Sequence, residues 1–168
     1  MLFVCPLSRL HETVENSGAS HMVTLINDGT PVARPPSIAA ENHLFLGFND
    51  ITEPMDGFLP PNHDIVGRFI AFADAWSQER AMVVHCWAGI SRSTAGAYVV
   101  ACMKRGAGQE AAIAAELRAA APQATPNSLF VKIADDILGR GGAMSEAIAS
   151  IGRGASAFEG SPFGLSLS

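Results

Sequence analysis

The stretch Met82–Val100, MVVHCWAGISRSTAGAYVV, joins a short apolar run to a long run of small and apolar residues through a cysteine, a glycine and an arginine. The first run has the length of a buried β-strand, and the residues from Arg92 onward have the apolar spacing of a helix. The loop Cys86–Ser91 therefore lies where a strand ends and a helix begins. Backbone N–H groups in such a loop can converge on an anion, and a helix N-terminus adds positive potential there. The sequence predicts an anion-binding loop that starts with a thiol.

The side chains of this loop suit a phosphate in particular. Gly89 permits a backbone geometry that a side chain would obstruct, and Arg92 offers two parallel donors that match two phosphate oxygens. The positive surroundings favour the thiolate form of Cys86, which is the nucleophilic form. Ser93 can donate a hydrogen bond to that sulfur and ease its later departure. The residues expected to surround the phosphate are Trp87, Ala88, Gly89, Ile90, Ser91 and Arg92.

The segment HCWAGISRS, residues 85–93, resembles the HCxxGxxRS signature of cysteine-based protein tyrosine phosphatases, especially the compact dual-specificity group. Every defined position of that pattern is matched, namely His85, Cys86, Gly89, Arg92 and Ser93. The resemblance implies an α/β fold and a two-step reaction through a phosphocysteine, with neither a metal nor a cofactor. The specific sequence match is confined to residues 85–93. Elsewhere only the order and spacing of the predicted elements support it.

The resemblance also implies an aspartate on an upstream loop, which protonates the leaving oxygen and later deprotonates the attacking water. Asp50 directly follows the apolar strand candidate HLFLGF, residues 43–48, so its backbone should be anchored. Asp56 is the alternative, but it precedes a glycine in a turn where an aspartate commonly binds its own loop. The Trp-Pro-Asp triplet of the longer receptor-type tyrosine phosphatases does not occur at this point, so strict tyrosine selectivity does not follow from the sequence.

The rest of the chain predicts an α/β domain with a mixed central sheet flanked by helices. Strands are expected over residues 1–5, 21–28, 42–50 and 81–85. Helices are expected over residues 8–18, from an Asn62 N-cap to Trp76, from Arg92 to the RGAG break, and over 109–121, 127–138 and 143–151. We assign residues 1–153 to a single phosphatase domain and residues 154–168 to a loose Gly/Ser-rich tail.

Composition excludes several classes of protein. Hydrophobic residues make up 48% of the 168-residue chain and charged residues 16%, which is typical of a globular protein. The net charge of −5 argues against general binding to nucleic acids or acidic membranes. We find neither a membrane-spanning stretch nor a signal peptide and expect a cytoplasmic protein. Cys5, Cys86 and Cys102 form no CxxC pair, which favours reduced thiols over a zinc site or a disulfide framework.

Several residues near the motif allow more than one interpretation. His85 is interpreted as a structural, hydrogen-bonded residue, and Cys102 as part of the core of its helix. Trp87 either lines the pocket rim or packs in the core. Cys5 ends a strand that could pair near the cysteine strand, so a reversible disulfide with Cys86 is conceivable. The segment TPNS, residues 125–128, either approaches the pocket as a loop or supplies an N-cap.

The leading functional hypothesis is a protein phosphatase that acts on phosphotyrosine, with phosphoserine and phosphothreonine as further substrates. Its expected partners are a phosphorylated protein and a phosphate or sulfate anion, and the oligomeric state is left open. A phosphatase of a non-protein ester, such as a phosphoinositide or an RNA 5′ end, is the second hypothesis. It ranks lower because the segment CWAGIS lacks the lysines that lipid-directed relatives carry. An inactive phosphate-binding module ranks third, because the cysteine, the arginine and an acid are all present.

Overall fold

Five strands and six α-helices make up the chain in the computed structural model, which describes all 168 residues. The strands are β1 (Leu2–Pro6), β2 (His21–Ile26), β3 (His43–Gly47), β4 (Met82–Cys86) and β5 (Phe163–Leu165). The helices are α1 (Leu10–Ser17), α2 (His63–Ala75), α3 (Arg92–Arg105), α4 (Glu110–Ala120), α5 (Ser128–Leu138) and α6 (Ala143–Ile151). Single 3₁₀ turns at Leu7–Arg9 and Ala40–Asn42 precede α1 and β3.

The sheet has the order β3-β2-β4-β1-β5, in which the first four strands are parallel and β5 runs antiparallel to β1. The expectation of an α/β fold with a mixed central sheet flanked by helices is confirmed. Because parallel strands point the same way, their carboxyl ends meet at one edge of the sheet. In open α/β sheets, ligands bind at this edge.

Helix α3 lies at the centre of the molecule and follows β4 directly. All its residues from Arg92 to Cys102 are buried, which confirms that Cys102 belongs to the core. Gly96 allows this close packing, since a Cβ there would lie 3.0 Å from a methyl group of Leu25 and 3.2 Å from one of Val84. This close packing of α3 against the sheet fixes the N-terminus of the helix next to the end of β4.

The predicted helix boundaries agree closely with the structure. The side chain of Asn62 accepts a hydrogen bond from the Ile65 N–H at 3.0 Å, as an N-cap should. Trp76 ends α2 and is buried, with its indole N–H donating to the Arg80 carbonyl at 3.0 Å. None of the helices has the length and hydropathy needed to cross a bilayer.

The expectation of a loose C-terminal tail is wrong at residues 163–165, which form β5 on the outer edge of β1. Leu165 joins the main core, and the Ala155 N–H donates to the Pro122 carbonyl at 2.9 Å. Glycine and serine content alone suggested looseness, but pairing with an existing strand orders the backbone whatever its composition. The domain boundary at residue 153 stays a prediction.

Candidate active site

The loop Cys86–Ser91, here called the catalytic loop, connects β4 to α3 at the carboxyl edge of the sheet. Cys86 is buried, and its Sγ lies 3.0 Å from the Oγ of Ser93 in the first turn of α3. Trp87 is half exposed, so it stands at the rim of the site rather than in the core. The predicted nucleophile and its predicted hydrogen-bond donor are therefore in contact.

Every carbonyl of residues 87–91 except that of Gly89 accepts a hydrogen bond from a backbone N–H elsewhere in the chain. The acceptor and donor pairs are Trp87 with Leu7 (3.1 Å), Ala88 with Gly160 (2.7 Å), Ile90 with Thr125 (2.9 Å), and Ser91 with Ala95 (3.0 Å) and Asn127 (3.3 Å). In contrast, no backbone N–H of residues 87–91 donates to a protein acceptor. A loop whose carbonyls are bound and whose N–H groups are free has the polarity of an anion site.

Gly89 is required by the geometry of this loop. Its φ of +68° lies in the left-handed region, and a Cβ there would come within 2.7 Å of the Pro6 nitrogen and 2.9 Å of the Cys5 carbonyl carbon. Both contacts are with backbone atoms of β1, which cannot move aside. The close approach of β1 to the catalytic loop therefore depends on glycine at this position.

Arg92 is a buried cation without a carboxylate partner. One guanidinium nitrogen, Nη1, donates to Asn27 Oδ1 at 2.9 Å and to the Phe48 carbonyl at 2.6 Å, and the group lies 5.8 Å from the centre of the Phe48 ring. Its Nε is buried and has no hydrogen-bond partner. Burial lowers the pKa of Arg92, while its neighbours Cys86 and Asp50 act in the opposite direction. A buried cation with a free Nε–H is suited to an oxyanion.

Asp50 lies just beyond β3 and is tied to the catalytic loop. Its Oδ1 accepts hydrogen bonds from Ser91 Oγ at 2.7 Å and from Asn127 Nδ2 at 2.8 Å, while Oδ2 has no protein partner. Asp56 is exposed and makes no hydrogen bond through its side chain. The structure thus brings Asp50, and not Asp56, to the predicted nucleophile's loop.

Asn127 is a site residue whose role the sequence only half revealed. Its side-chain oxygen accepts from the Phe130 N–H at 2.9 Å, which confirms the N-cap of α5. Its amide nitrogen reaches Asp50, and its backbone N–H reaches the Ser91 carbonyl. The two interpretations of the segment TPNS therefore hold together, because capping the helix also aims the amide at the acid.

His85 has a structural setting, in keeping with its interpretation from the sequence. Its Nε2 lies 2.7 Å from Thr24 Oγ1, and the same hydroxyl lies 2.8 Å from His43 Nε2. Burial lowers the pKa of His85 to about 4, so the ring is neutral near pH 7. A neutral imidazole packed under the catalytic loop supports the backbone without adding charge.

The remaining two cysteines are poor nucleophiles in this structure. All three cysteines are free thiols. Burial raises the pKa of both Cys5 and Cys102 to about 12, which keeps their sulfurs protonated. Cys5 does lie on the strand beside β4, where it pairs with His85 in register. A reversible disulfide between Cys5 and Cys86 stays a prediction.

No protein-family model and no curated protein matches the sequence, but solved structures match the fold. A structure of DUSP15 superposes with a TM-score of 0.63 at 17% identity and covers 89% of this chain and 90% of its own. Human DUSP28 gives 0.61 at 20% identity over 80% and 86% of the two chains. The PTP-2 phosphatase of Cydia pomonella gives 0.61 at 17% identity over 80% and 84%. The fold expected from the motif, that of compact dual-specificity phosphatases, is confirmed.

Proposed function

We propose that the chain is a phosphatase that hydrolyses phosphomonoesters of proteins, phosphotyrosine above all, through a phosphocysteine intermediate. One observation carries the proposal. The buried thiol of Cys86 sits in a loop of free backbone N–H groups, next to a buried arginine whose Nε has no protein partner. These groups form an anion site with a nucleophile inside it, which is what phosphoryl transfer to sulfur requires.

In the first step, the thiolate of Cys86 attacks phosphorus, a P–S bond forms and the bond from phosphorus to the leaving oxygen breaks. The loop N–H groups and the free edge of Arg92 bind the non-bridging oxygens, whose charge develops in the transition state. Asp50 donates a proton to the leaving oxygen through its unoccupied Oδ2. Because Ser91 and Asn127 both hold Oδ1, the carboxyl group approaches the reaction in one orientation.

In the second step, a water molecule attacks phosphorus, the P–S bond breaks and inorganic phosphate forms. Asp50, now a carboxylate, takes the proton from the attacking water. The Ser93 hydroxyl, 3.0 Å from the sulfur, donates a hydrogen bond to the departing thiolate. The chain's own residues account for both steps, and no step calls for a metal.

The decisive experiment compares the parent with Cys86→Ser on a generic aryl phosphate. The variant should lose turnover to background, because a serine hydroxyl is far less ionised than a thiol, while it keeps the anion site. Cys102→Ala is the matched control, since it removes a buried thiol from α3 and should keep parent-like turnover.

Four outcomes would contradict the proposal in different ways. Turnover by purified Cys86→Ser would exclude the phosphocysteine. Inhibition of the parent by EDTA would indicate metal chemistry instead. A parent that binds vanadate but hydrolyses neither aryl phosphates nor phosphopeptides would be an inactive phosphate-binding module. Hydrolysis of phosphoinositides at a higher kcat/KM than any phosphopeptide would exclude a protein substrate.

A further inference from the structure

A groove of about 870 Å³ opens directly beside the catalytic loop. Asp50, Ile90 and Ser91 form the wall that the groove shares with the proposed phosphate site, and residues 51–55 continue that wall outward. The opposite side consists of the start of α5, the end of α6 and the tail residues 152–157. Ligand pockets span roughly 300–1,000 Å³, so this groove can hold a group far larger than a phosphate.

The lining of the groove is apolar with few charges. Ile51, Met55 and Ile148 contribute apolar surface from the loop after β3 and from α6, and Val131 of α5 lies buried beneath them. Beyond Asp50, the only charged groups that line it are Glu53 and Arg153. Both of these side chains are exposed, so an ion pair between either of them and the ligand would contribute little, whereas an aliphatic side chain would gain free energy by leaving water.

Hydrogen-bonding groups along the groove suit a peptide. The tail lines one rim without regular structure, and the N–H groups of Arg153, Ser156 and Ala157 donate to no protein acceptor. Gln123, Ser128 and Ser145 add polar side chains to the lining. A lipid chain would leave these groups unsatisfied, and the net charge of −5 opposes an anionic membrane surface.

We propose that this groove binds the peptide segment next to the phosphorylated residue and selects an uncharged, aliphatic side chain there. The inference rests on the proposed function, which it deepens by naming the sequence class of the substrate. The phosphate enters the catalytic loop, and the neighbouring residue of the substrate enters the groove across the wall formed by Ile90 and Ser91.

The test uses phosphotyrosine peptides that are identical except for isoleucine or glutamate at each position within two residues of the phosphotyrosine, on either side. At one position, the isoleucine peptide should exceed the glutamate peptide in kcat/KM by about tenfold or more, since one hydrophobic-pocket contact is worth roughly 10–200-fold. Equal values at all positions would overturn the inference.

The variant Ala149→Trp tests whether the preference for isoleucine over glutamate arises in the groove. Ala149 is exposed on α6 and lines the groove, so an indole there would block part of it without disturbing the core. The ratio of isoleucine to glutamate should then fall to about one. The matched control Ala112→Trp, on the exposed face of α4, should keep the parental ratio. A ratio that survives Ala149→Trp would place the preference elsewhere and overturn the assignment.

Failure of the proposed function is read separately. Turnover of a small aryl phosphate by the parent reports on the chemistry alone. With Cys86→Ser, the ratio of the dissociation constants of the isoleucine and glutamate peptides reports on the groove, because both peptides carry the same phosphate. If the protein prefers the isoleucine peptide in binding but shows no turnover, the groove assignment stands and the proposed phosphatase activity is wrong. If Ala149→Trp weakens turnover of phosphoinositide vesicles while the peptides show no preference, the occupant is a lipid and the peptide assignment is wrong.

Discussion

The catalytic loop follows β4 and the loop that carries Asp50 follows β3, at the same edge of the sheet. The two loops differ in how the rest of the protein holds them. The catalytic loop is held from outside through the carbonyls of four residues, by N–H groups from the turn after β1, from α3, from the segment before α5 and from the tail. In the acid loop, residues 50–62, every side chain from Thr52 to Leu59 is exposed. At the base of this loop, the Asn49 N–H donates to the Leu59 carbonyl at 2.7 Å, and the Leu59 N–H donates to Asn49 Oδ1 at 2.8 Å.

The difference matches the roles that we propose for the two loops. Stabilising a developing phosphoryl charge requires several dipoles that are already oriented before reaction, so a large part of the fold has to hold them. Transferring a proton requires one carboxyl group within reach of the leaving oxygen, and Ser91 and Asn127 orient that group at Asp50 alone. Substitutions at many positions in the catalytic loop and in the residues that hold it should therefore lower the rate, whereas in the acid loop only substitutions of Asp50 should lower it strongly.

The largest effect is expected from Arg92→Lys in the anion site. Lysine keeps the charge but replaces two coplanar donors with a point charge and cannot keep both the Asn27 and Phe48 bonds while reaching the substrate. Loss of an arginine that stabilises a transferring phosphoryl group costs roughly 10³–10⁵-fold, so kcat on a phosphopeptide should fall by that order. Circular dichroism should show an intact fold. Parent-like kinetics would place Arg92 outside the phosphate site.

The next effect is expected from Asp50→Asn, with Asp56→Asn as the matched control. Asparagine can keep the hydrogen bonds from Ser91 and Asn127 but cannot donate the proton, so kcat on a phosphopeptide should fall by about 10²–10⁴-fold. The loss should shrink for an aryl phosphate with a very acidic leaving group. Asp56→Asn should stay within about threefold of the parent, or roughly 0.65 kcal/mol of barrier. An exchange of these behaviours between the two variants would make Asp56 the acid.

A smaller effect is expected from Gly160→Pro, which tests whether the tail supports the catalytic loop. Proline removes the N–H that donates to the Ala88 carbonyl at 2.7 Å, and its Cβ would lie 2.7 Å from Gln123 Nε2 and 3.0 Å from the Gly89 carbonyl oxygen. The lost bond alone is worth about 1 kcal/mol, so kcat should fall at least roughly fivefold, and the crowding adds to that loss. Phe158→Ala, in the same tail but 98% exposed, should leave kcat unchanged. Equal kcat for Gly160→Pro and the parent would show that the loop keeps its shape without the tail.

The last effect concerns stability and leaves the rate aside; it arises from His85, the buried histidine directly before the catalytic loop. Since the folded state holds the pKa of His85 at about 4, below its ordinary value of 6.5, the unfolded chain binds a proton between these values that the folded chain does not. The free energy of unfolding should therefore decrease as pH falls through this window, by up to about 3 kcal/mol from this group.

His85→Gln should reduce that pH dependence, as measured by urea unfolding at pH 7 and pH 4.5. Partial burial also lowers the pKa of His21 and of His43, which adds a dependence of the same sign. The contribution of His21 cancels in the comparison, whereas His43 shares the Thr24 hydroxyl with His85, so its contribution changes with the variant. An unchanged difference between the two pH values would mean that His85 is protonated in the folded state.

The sequence by itself determined the parts of this protein that depend on near neighbours. Residues 82–100 contain the strand, the anion loop and the helix, and the contact between Cys86 and Ser93 spans only seven residues, so periodicity and one motif were enough to predict them. The preference for Asp50 over Asp56 followed from its place at the end of a strand, and its role as the acid stays a prediction. The N-caps at Asn62 and Asn127 followed from the same local rules.

Only the tertiary structure decided which distant segments complete the site. The carbonyls of the catalytic loop are bound by residues 7, 125, 127 and 160 as well as by its own helix, and the groove joins the acid loop, two helices and the tail. The tail was expected to be loose because glycine and serine favour a flexible backbone when no tertiary contacts act on it. In the structure the tail forms β5, and its Gly160 N–H donates to the Ala88 carbonyl. Contacts between distant residues depend on how whole elements pack, and no local pattern in a sequence encodes that packing.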